Sequence, residues 1–377
     1  MYQSAIPIAE ALAKGPTYGP FRSLTNRRIV LRSRPVGALR AENFALEEHA
    51  VPAPSADQVL LRTLYLSLDP YLHASIEDAA NDAVPVRVGQ VMAGSTVSRV
   101  EASRHGDYQE GDLVLACGGW QQYALSDGTD LIRLSSPIVR PTQVLGPLGL
   151  PGFLAYLALG KIGQPQAGET VVVAAASGAV GSLAGQIAKL RGCRTVVLAG
   201  AADKRRFATE DTAFDACIER RAPDLGARLR VACPNGIDVY FENAGGAVFN
   251  TVLPLLNKGA RVPLRGTIGG RDGADSSEKA VRLRYLARSL AAKRIKMQAF
   301  IVSDHRHRYG EFVQQMSHWL DSGKVKFRED IVDGLENAPR AFIGVLEGRR
   351  FGKLVIRVAN LGSTAIAVTR ATMTGGI

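Results

Sequence analysis

At 377 residues the chain is too long for a single small core, and two domains with a cleft between them are the natural expectation. Hydrophobic residues at 46% and charged residues at 21% fit a globular protein. No stretch approaches the roughly 18 apolar residues a membrane span needs, so a soluble chain with no membrane partner is expected. The net charge of +11 raises nucleic acid as a partner, but no aromatic ladder or zinc-finger spacing accompanies it, and the densest basic stretch, residues 282–294, reads more simply as the solvated face of a helix.

Residues 1–25 hold three prolines and little periodicity, and read as an extension outside the fold. They lack a basic start ahead of their apolar residues, and Pro7 and Glu10 interrupt them, which argues against a secretory signal. With Cys117, Cys193, Cys217 and Cys233 scattered without framework spacing, reduced thiols in a cytoplasmic setting are expected. Residues 26–145 carry short β-type runs (IVLRSR, QVLLRTLYLSL, VGQVMAGSTVSRV, DLVLACGGWQQYAL) punctuated by Pro, Gly and Asp, which suits an antiparallel, barrel-like domain with few helices. Residues 146–320 alternate strand and helix (TVVVAAA, RTVVLAG, GIDVYFENAGG, GARVPLRGTIGG, RIKMQAFIV), the sequence form of an α/β, doubly wound parallel sheet. Residues 321–359 offer a turn, a helix and a last strand able to return to the first domain, and 360–377 read as a tail.

The strongest chemical signal is ETVVVAAASGAVGSLAGQIAKLRG, where a buried strand runs through a small-residue turn into a helix. Ser177, Gly178, Ala179, Val180 and Gly181 form that turn. Gly178 lets backbone approach a pyrophosphate, Gly181 permits close helix–strand packing, and the N–H groups at the helix start can hold the anion. Ala176 stands where a full GxGxxG has its first glycine. The second strand ends in Leu198-Ala199-Gly200 with no carboxylate for a ribose 2′-hydroxyl. Lys204, Arg205 and Arg206 follow instead and offset the nearby Asp203, so NADP(H) is favoured over NAD.

In that frame LYLSLDPY (64–71), GGWQQYALSD, LGPLGLPGFLAYLAL, AAASGAVGS, GIDVYFENAGG, RIKMQAFIV and GLENAPRAFIGVLEGRRFGKLVIRV, in this order, resemble the leukotriene B4 dehydrogenase, prostaglandin reductase and curcumin reductase branch of the zinc-free medium-chain dehydrogenase/reductases, over residues 26–358. The resemblance implies a GroES-like β-barrel catalytic domain joined to a Rossmann domain. It also implies a homodimer and transfer of hydride from NADPH to the β-carbon of an enone or enal. It carries the pyrophosphate turn to Gly178, Ala179, Val180 and Gly181, a 2′-phosphate lysine to Lys204 and a cofactor-contacting asparagine to Asn243. Gly266, Thr267 and Ile268 fall at the loop beside the nicotinamide, and Phe300, Ile301 and Val302 at the strand closing its other side; plain strand packing explains these six equally well. No metal is expected: the zinc relatives' cysteine and His-Glu pair are missing, and His49, His73, His105, His305, His307 and His318 show no ligand spacing with the cysteines. Conjugate reduction then needs only hydride delivery and a stabilised enolate.

Several positions depart from that pattern. Glu219-Arg220-Arg221 replaces the tyrosine near the 2′-phosphate, and Arg220 can still bind phosphate bidentately. Arg350 replaces the asparagine before the final FGK and can reach the cofactor or sit on the surface. DPYMRGRM becomes DPYLHASIE, with His73 and Ser75 in place of arginines. The loop resembling ISQYN reads Ile268-Gly269-Gly270-Arg271-Asp272, so its tyrosine is gone. Tyr71, Arg271, or the cofactor's ribose hydroxyl with water remain as donors to the enolate; aromatic packing is the alternative reading of Tyr71. A quinone reductase shares fold and cofactor. A catalytically silent NADPH-binding or nucleic-acid-binding protein is the rival from another class.

Overall fold

Runs of β-branched residues broken by turn residues fold into the first sheet of the computed structural model, which describes residues 24–77, 85–134, 140–174, 178–200, 212, 214–242, 246–264 and 276–360, with the backbone alone for 276–282. β1 (Thr25–Leu31) and β2 (Phe44–Ala50) form an antiparallel pair. β3 (Val59–Ser67) leads, through the short helix α1 (Leu72–Ile76), to β4 (Thr96–Ser103), β5 (Leu113–Ala116), β6 (Tyr123–Ser126) and β7 (Ile132–Arg133). The helix α1 lies where few helices are expected; at five residues it is too short to leave a periodic signal.

Helix α2 (Leu150–Leu157) crosses into the second sheet, of β8 (Thr170–Val173), β9 (Arg194–Ala199), β10 (Ala216–Glu219), β11 (Ile237–Phe241), β12 (Leu256–Leu264) and β13 (Lys296–Ala299). All its ladders are parallel, in the order β10-β9-β8-β11-β12-β13. The valines of β8 are fully buried because helices cover both faces. α3 (Ala179–Leu190) and α2 pack on one core, while α4 (Leu225–Ala232), α5 (Gly246–Val252) and α6 (Ser276–Lys293) lie over the other. On α6, Leu286 and Leu290 face that core while Arg284 and Arg288 are exposed, so its basic residues include a solvated face.

After α7 (Tyr309–Asp321) the chain re-enters the first sheet as β14 (Glu329–Asp333), α8 (Ala338–Leu346) and β15 (Lys353–Arg357), giving the order β14-β15-β3-β4-β5-β7 with β6 also on β3. One core joins the two chain ends: Trp120 stacks on Phe44 and meets the edge of Phe342 of α8, each with ring centroids 5.6 Å apart. The architecture is a barrel-like domain beside a Rossmann-like parallel sheet.

RIKMQAFIV does not run as one strand. β13 ends at Ala299, and Val302 opens a 3-10 helix through Arg308, so Phe300, Ile301 and Val302 lie beyond the strand assigned to them. The reason is packing: Phe300 and Val302 turn onto the core that holds Phe153 and Phe312, whereas Ile301 stays 66% exposed.

Candidate active site

The parallel sheet reverses its direction of growth at β8, which has β9 on one side and β11 on the other. Ligands of such sheets bind beyond the strand C-termini at this reversal. Gly178 lies there, at the entry of α3, in an extended conformation (φ −87°, ψ 161°) with no side-chain cap, and the first turn of the helix carries no acid. The leading N–H groups of a helix have no partner within it. At this end of α3 the positive pole of the helix dipole and these donors therefore face outward together. Gly181 is buried, and Val180 packs on the core of the same face.

The returning chain closes on this turn. Gly352 forms a parallel bridge with Gly178, and its φ of +79° lies in the left-handed region that glycine alone enters without strain. A Cβ at Gly352 would stand 2.3 Å from the Arg328 carbonyl oxygen, so the turn has no room for a side chain. A second tie lies further along α3. The buried Gln186 donates to the Lys326 carbonyl (2.9 Å) and accepts from the Lys326 N–H (2.7 Å), binding β14's approach to the nucleotide helix.

Arg350 lies beside the bridge, half-buried, with its guanidinium 3.3 Å from Asp330. It borders a cavity of about 370 Å3 whose lining mixes Arg328, Arg340 and Arg349 with Glu329 and Asp330. Arg328 sits over the Phe351 ring at 4.5 Å. At the end of β10, Arg220 donates its backbone N–H to Ala199 while its side chain is half-buried. Burial, with neighbouring Arg221, lowers the Arg220 pKa, and Tyr240 partly opposes this. A half-buried guanidinium at this corner suits a phosphate.

On the opposite side, Tyr71 starts α1 and packs against the first domain's core. Arg34 fixes the far end of α1 by donating to the carbonyls of Ile76 (2.6 Å) and Val86 (3.2 Å). His73 faces Glu77 at 3.5 Å, and the buried Ser75 donates to the Leu72 carbonyl at 2.7 Å.

The structure thus sets Gly178, Ala179, Val180 and Gly181 at the start of α3 against the returning chain at Gly352, turns the Arg350 side chain to Asp330 and Gly344 two residues before that bridge, and places Arg220 just past the end of β10 at the same sheet edge. The exposed Ile301 is not packed into any core. Ser177, Lys204, Asn243, Gly266, Thr267, Ile268 and Arg271 lie outside the described residues. β11 and β12 end side by side, at the bridge between Glu242 and Leu264, and residues 243–245 and 265–275 follow from there. Sequence reasoning missed Gly352, Lys353 and Asp69, although LDPY and FGK were conspicuous as motifs. Among the described residues no group of three or more His, Cys, Asp or Glu could hold a metal ion. Burial pushes the Cys193 and Cys233 thiols up to about 11, leaving both protonated and unreactive at neutral pH.

Comparison with known proteins decides the family. Residues 27–134 match the N-terminal domain of oxidoreductase model, and residues 179–318 match the zinc-binding dehydrogenase model. The chain is 52% identical over 335 residues to the NADPH-dependent curcumin reductase of Escherichia coli, covering 89% of this chain and 97% of that one. The chain belongs to the curcumin reductase, alkenal reductase and prostaglandin reductase branch of the medium-chain dehydrogenase/reductases. It is also 33% identical to a 2-alkenal reductase (NADP(+)-dependent) of Nicotiana tabacum, covering 89% of this chain and 98% of that one. The crystal structure of CurA in complex with NADPH from Vibrio vulnificus superposes with a TM-score of 0.83 at 50% identity, over 89% of this chain and 99% of that one.

Proposed function

We propose that this family member is an NADPH-dependent reductase of the carbon–carbon double bond of α,β-unsaturated ketones or aldehydes. The observation that carries the reading is the likeness, over 335 residues and 89% of this chain, to an NADPH-dependent curcumin reductase. The cofactor fits the residues present. The glycine turn leaves donors at the start of α3 for the pyrophosphate, and Arg220 offers a half-buried cation to a 2′-phosphate. Lys204 joins Arg220 in this reading, Asn243, Gly266, Thr267, Ile268, Phe300, Ile301 and Val302 border the nicotinamide half, and Arg350 supplements the pyrophosphate turn.

When bound, NADPH supplies the hydride for the substrate's β-carbon. The chain's task is to orient the enone and to hold the charge that develops on its carbonyl oxygen. Tyr71 is the donor to that oxygen, with Arg271 as the alternative, and a proton from solvent completes the α-carbon. The domains span residues 26–145, 146–320 and 321–359, and the enzyme works in the cytoplasm as a homodimer.

NADPH oxidation at 340 nm against a panel of enals, long-chain enones, curcumin-like dienones and quinones tests the reading. Turnover of an enone with NADPH, unchanged by a chelator, is expected. Turnover of quinones alone would replace this reading with a quinone reductase, and NADPH binding without any turnover would make the protein a silent binder.

A further inference from the structure

Lys353 is 2% exposed, and a buried ammonium persists only where its protons find acceptors. Its Nζ donates to Ser67 Oγ at 2.5 Å and to Asp69 Oδ1 at 2.7 Å, while the Ser67 hydroxyl donates to the other Asp69 oxygen. The pair joins β15 to the end of β3. Both neighbours of this network bear on the site. Lys353 directly follows Gly352, which bridges the turn at Gly178, and its own N–H donates to the Arg328 carbonyl at 2.9 Å. Asp69 is separated from Tyr71 only by Pro70, whose ring fixes φ, and the Asp69 carbonyl accepts from the Leu72 N–H at 3.1 Å, closing a tight turn around Tyr71. Gly178, Gly352, Lys353, Asp69 and Tyr71 thus form one short mechanical path, with a buried ion pair at its centre.

We propose that Lys353 is a positioning residue that, through Asp69, sets Tyr71 relative to the cofactor turn. Resting on the reading of Tyr71 as the donor to the enolate oxygen, this adds a cause for its placement. Hydrophobic packing alone would hold β15 against β3, since Leu354, Val355 and Ile356 are all buried. The ion pair contributes direction: a charged hydrogen-bonded contact fixes both distance and angle where an apolar one fixes neither. A buried pair is also replaceable by apolar residues at little cost in stability, which separates folding from positioning.

The test is a cycle built from an apolar variant, Ser67→Ala/Asp69→Leu/Lys353→Met, and from Tyr71→Phe, each alone and combined. Melting temperature, NADPH Kd by fluorescence titration, kcat with an enone and the isotope effect with 4-deuterated NADPH are read on each. The apolar variant is expected to fold and bind NADPH as the parent does while kcat falls about ten- to a hundredfold, the scale of a misplaced catalytic group. Combining it with Tyr71→Phe is expected to cost no more than Tyr71→Phe alone. Parental kcat in the apolar variant, or losses that multiply in the combination, would overturn the proposal while leaving the Tyr71 reading intact. Parental kcat in Tyr71→Phe would overturn that reading and this proposal together. If the apolar variant fails to fold, Asp69→Asn carries the test, because it keeps the shape and removes the charge. Lower kcat at unchanged NADPH Kd is then expected, and parental kcat would overturn the proposal.

Discussion

Arg220 and Gly352 act in opposite ways, one by what its side chain offers and one by having none. The Arg220 guanidinium lies half-buried just past the end of β10, beside Arg221. A cation held in that state gains from an anion, and a charge-assisted contact of about 1.5–3 kcal/mol corresponds to roughly tenfold or more in affinity. Arg220→Ala is therefore expected to raise the KM for NADPH by about tenfold and to leave that for NADH unchanged, lowering the preference between them. Steady-state kinetics with both cofactors decides it, and an unchanged KM for NADPH would remove Arg220 from the 2′-phosphate site. Gly352→Ala meets two obstacles, a positive φ and the Arg328 carbonyl 2.3 Å from the new Cβ. Their sum is about 1–3 kcal/mol of strain, a fall of several degrees in Tm, together with weaker NADPH binding because the bridge to Gly178 is displaced. Calorimetry and cofactor titration on the same sample check both, and a variant with parental values would mean that the seam relaxes freely.

Among the elements, β12 is joined to Glu169, the residue directly before β8, by an ion pair that makes stability pH-dependent. Arg261 of β12 donates Nη1 to Glu169 Oε1 at 2.9 Å and its Nε to the Gly163 carbonyl at 2.8 Å. The Arg261 hydrogen bonds, helped by the Gln166 N–H and opposed by burial, hold the Glu169 carboxyl below its ordinary 4.5. A carboxyl depressed on folding contributes stability that is present above its unfolded pKa and is lost as pH falls through the folded one. Glu169→Gln should thus lower Tm at pH 7, and the difference from the parent should shrink as pH drops below about 4.5. Thermal melts across pH 3–7 measure it, and a constant difference would mean that shape rather than charge holds the two strands.

At the scale of the molecule, the doubly wound sheet was readable because the valine runs of β8 and β9 are buried on both faces and so unbroken by polar residues. The glycine turn was readable for the same local reason. Lys353 was not, since its partner Asp69 lies 284 residues away and an isolated lysine in a strand reads as exposed. The end of β13 was hidden too, because AFIV stays apolar while Phe300 and Val302 change the core they pack on. The same strand carries the prediction about assembly. Among the described residues β13 closes the parallel sheet with β12 on one side only, and Lys296, Gln298 and Ala299 along it are exposed. Unpaired strand groups at such an edge are a template for another strand, and no proline in β13 blunts them. Pairing with the same strand of a second copy about a two-fold axis satisfies both edges at once and yields a closed dimer. Sedimentation velocity is expected to give about twice the 40.3 kDa chain mass down to micromolar concentration. A species of single-chain mass throughout would require another cover for this edge, and Lys296 would then be read as the charge that keeps it solitary.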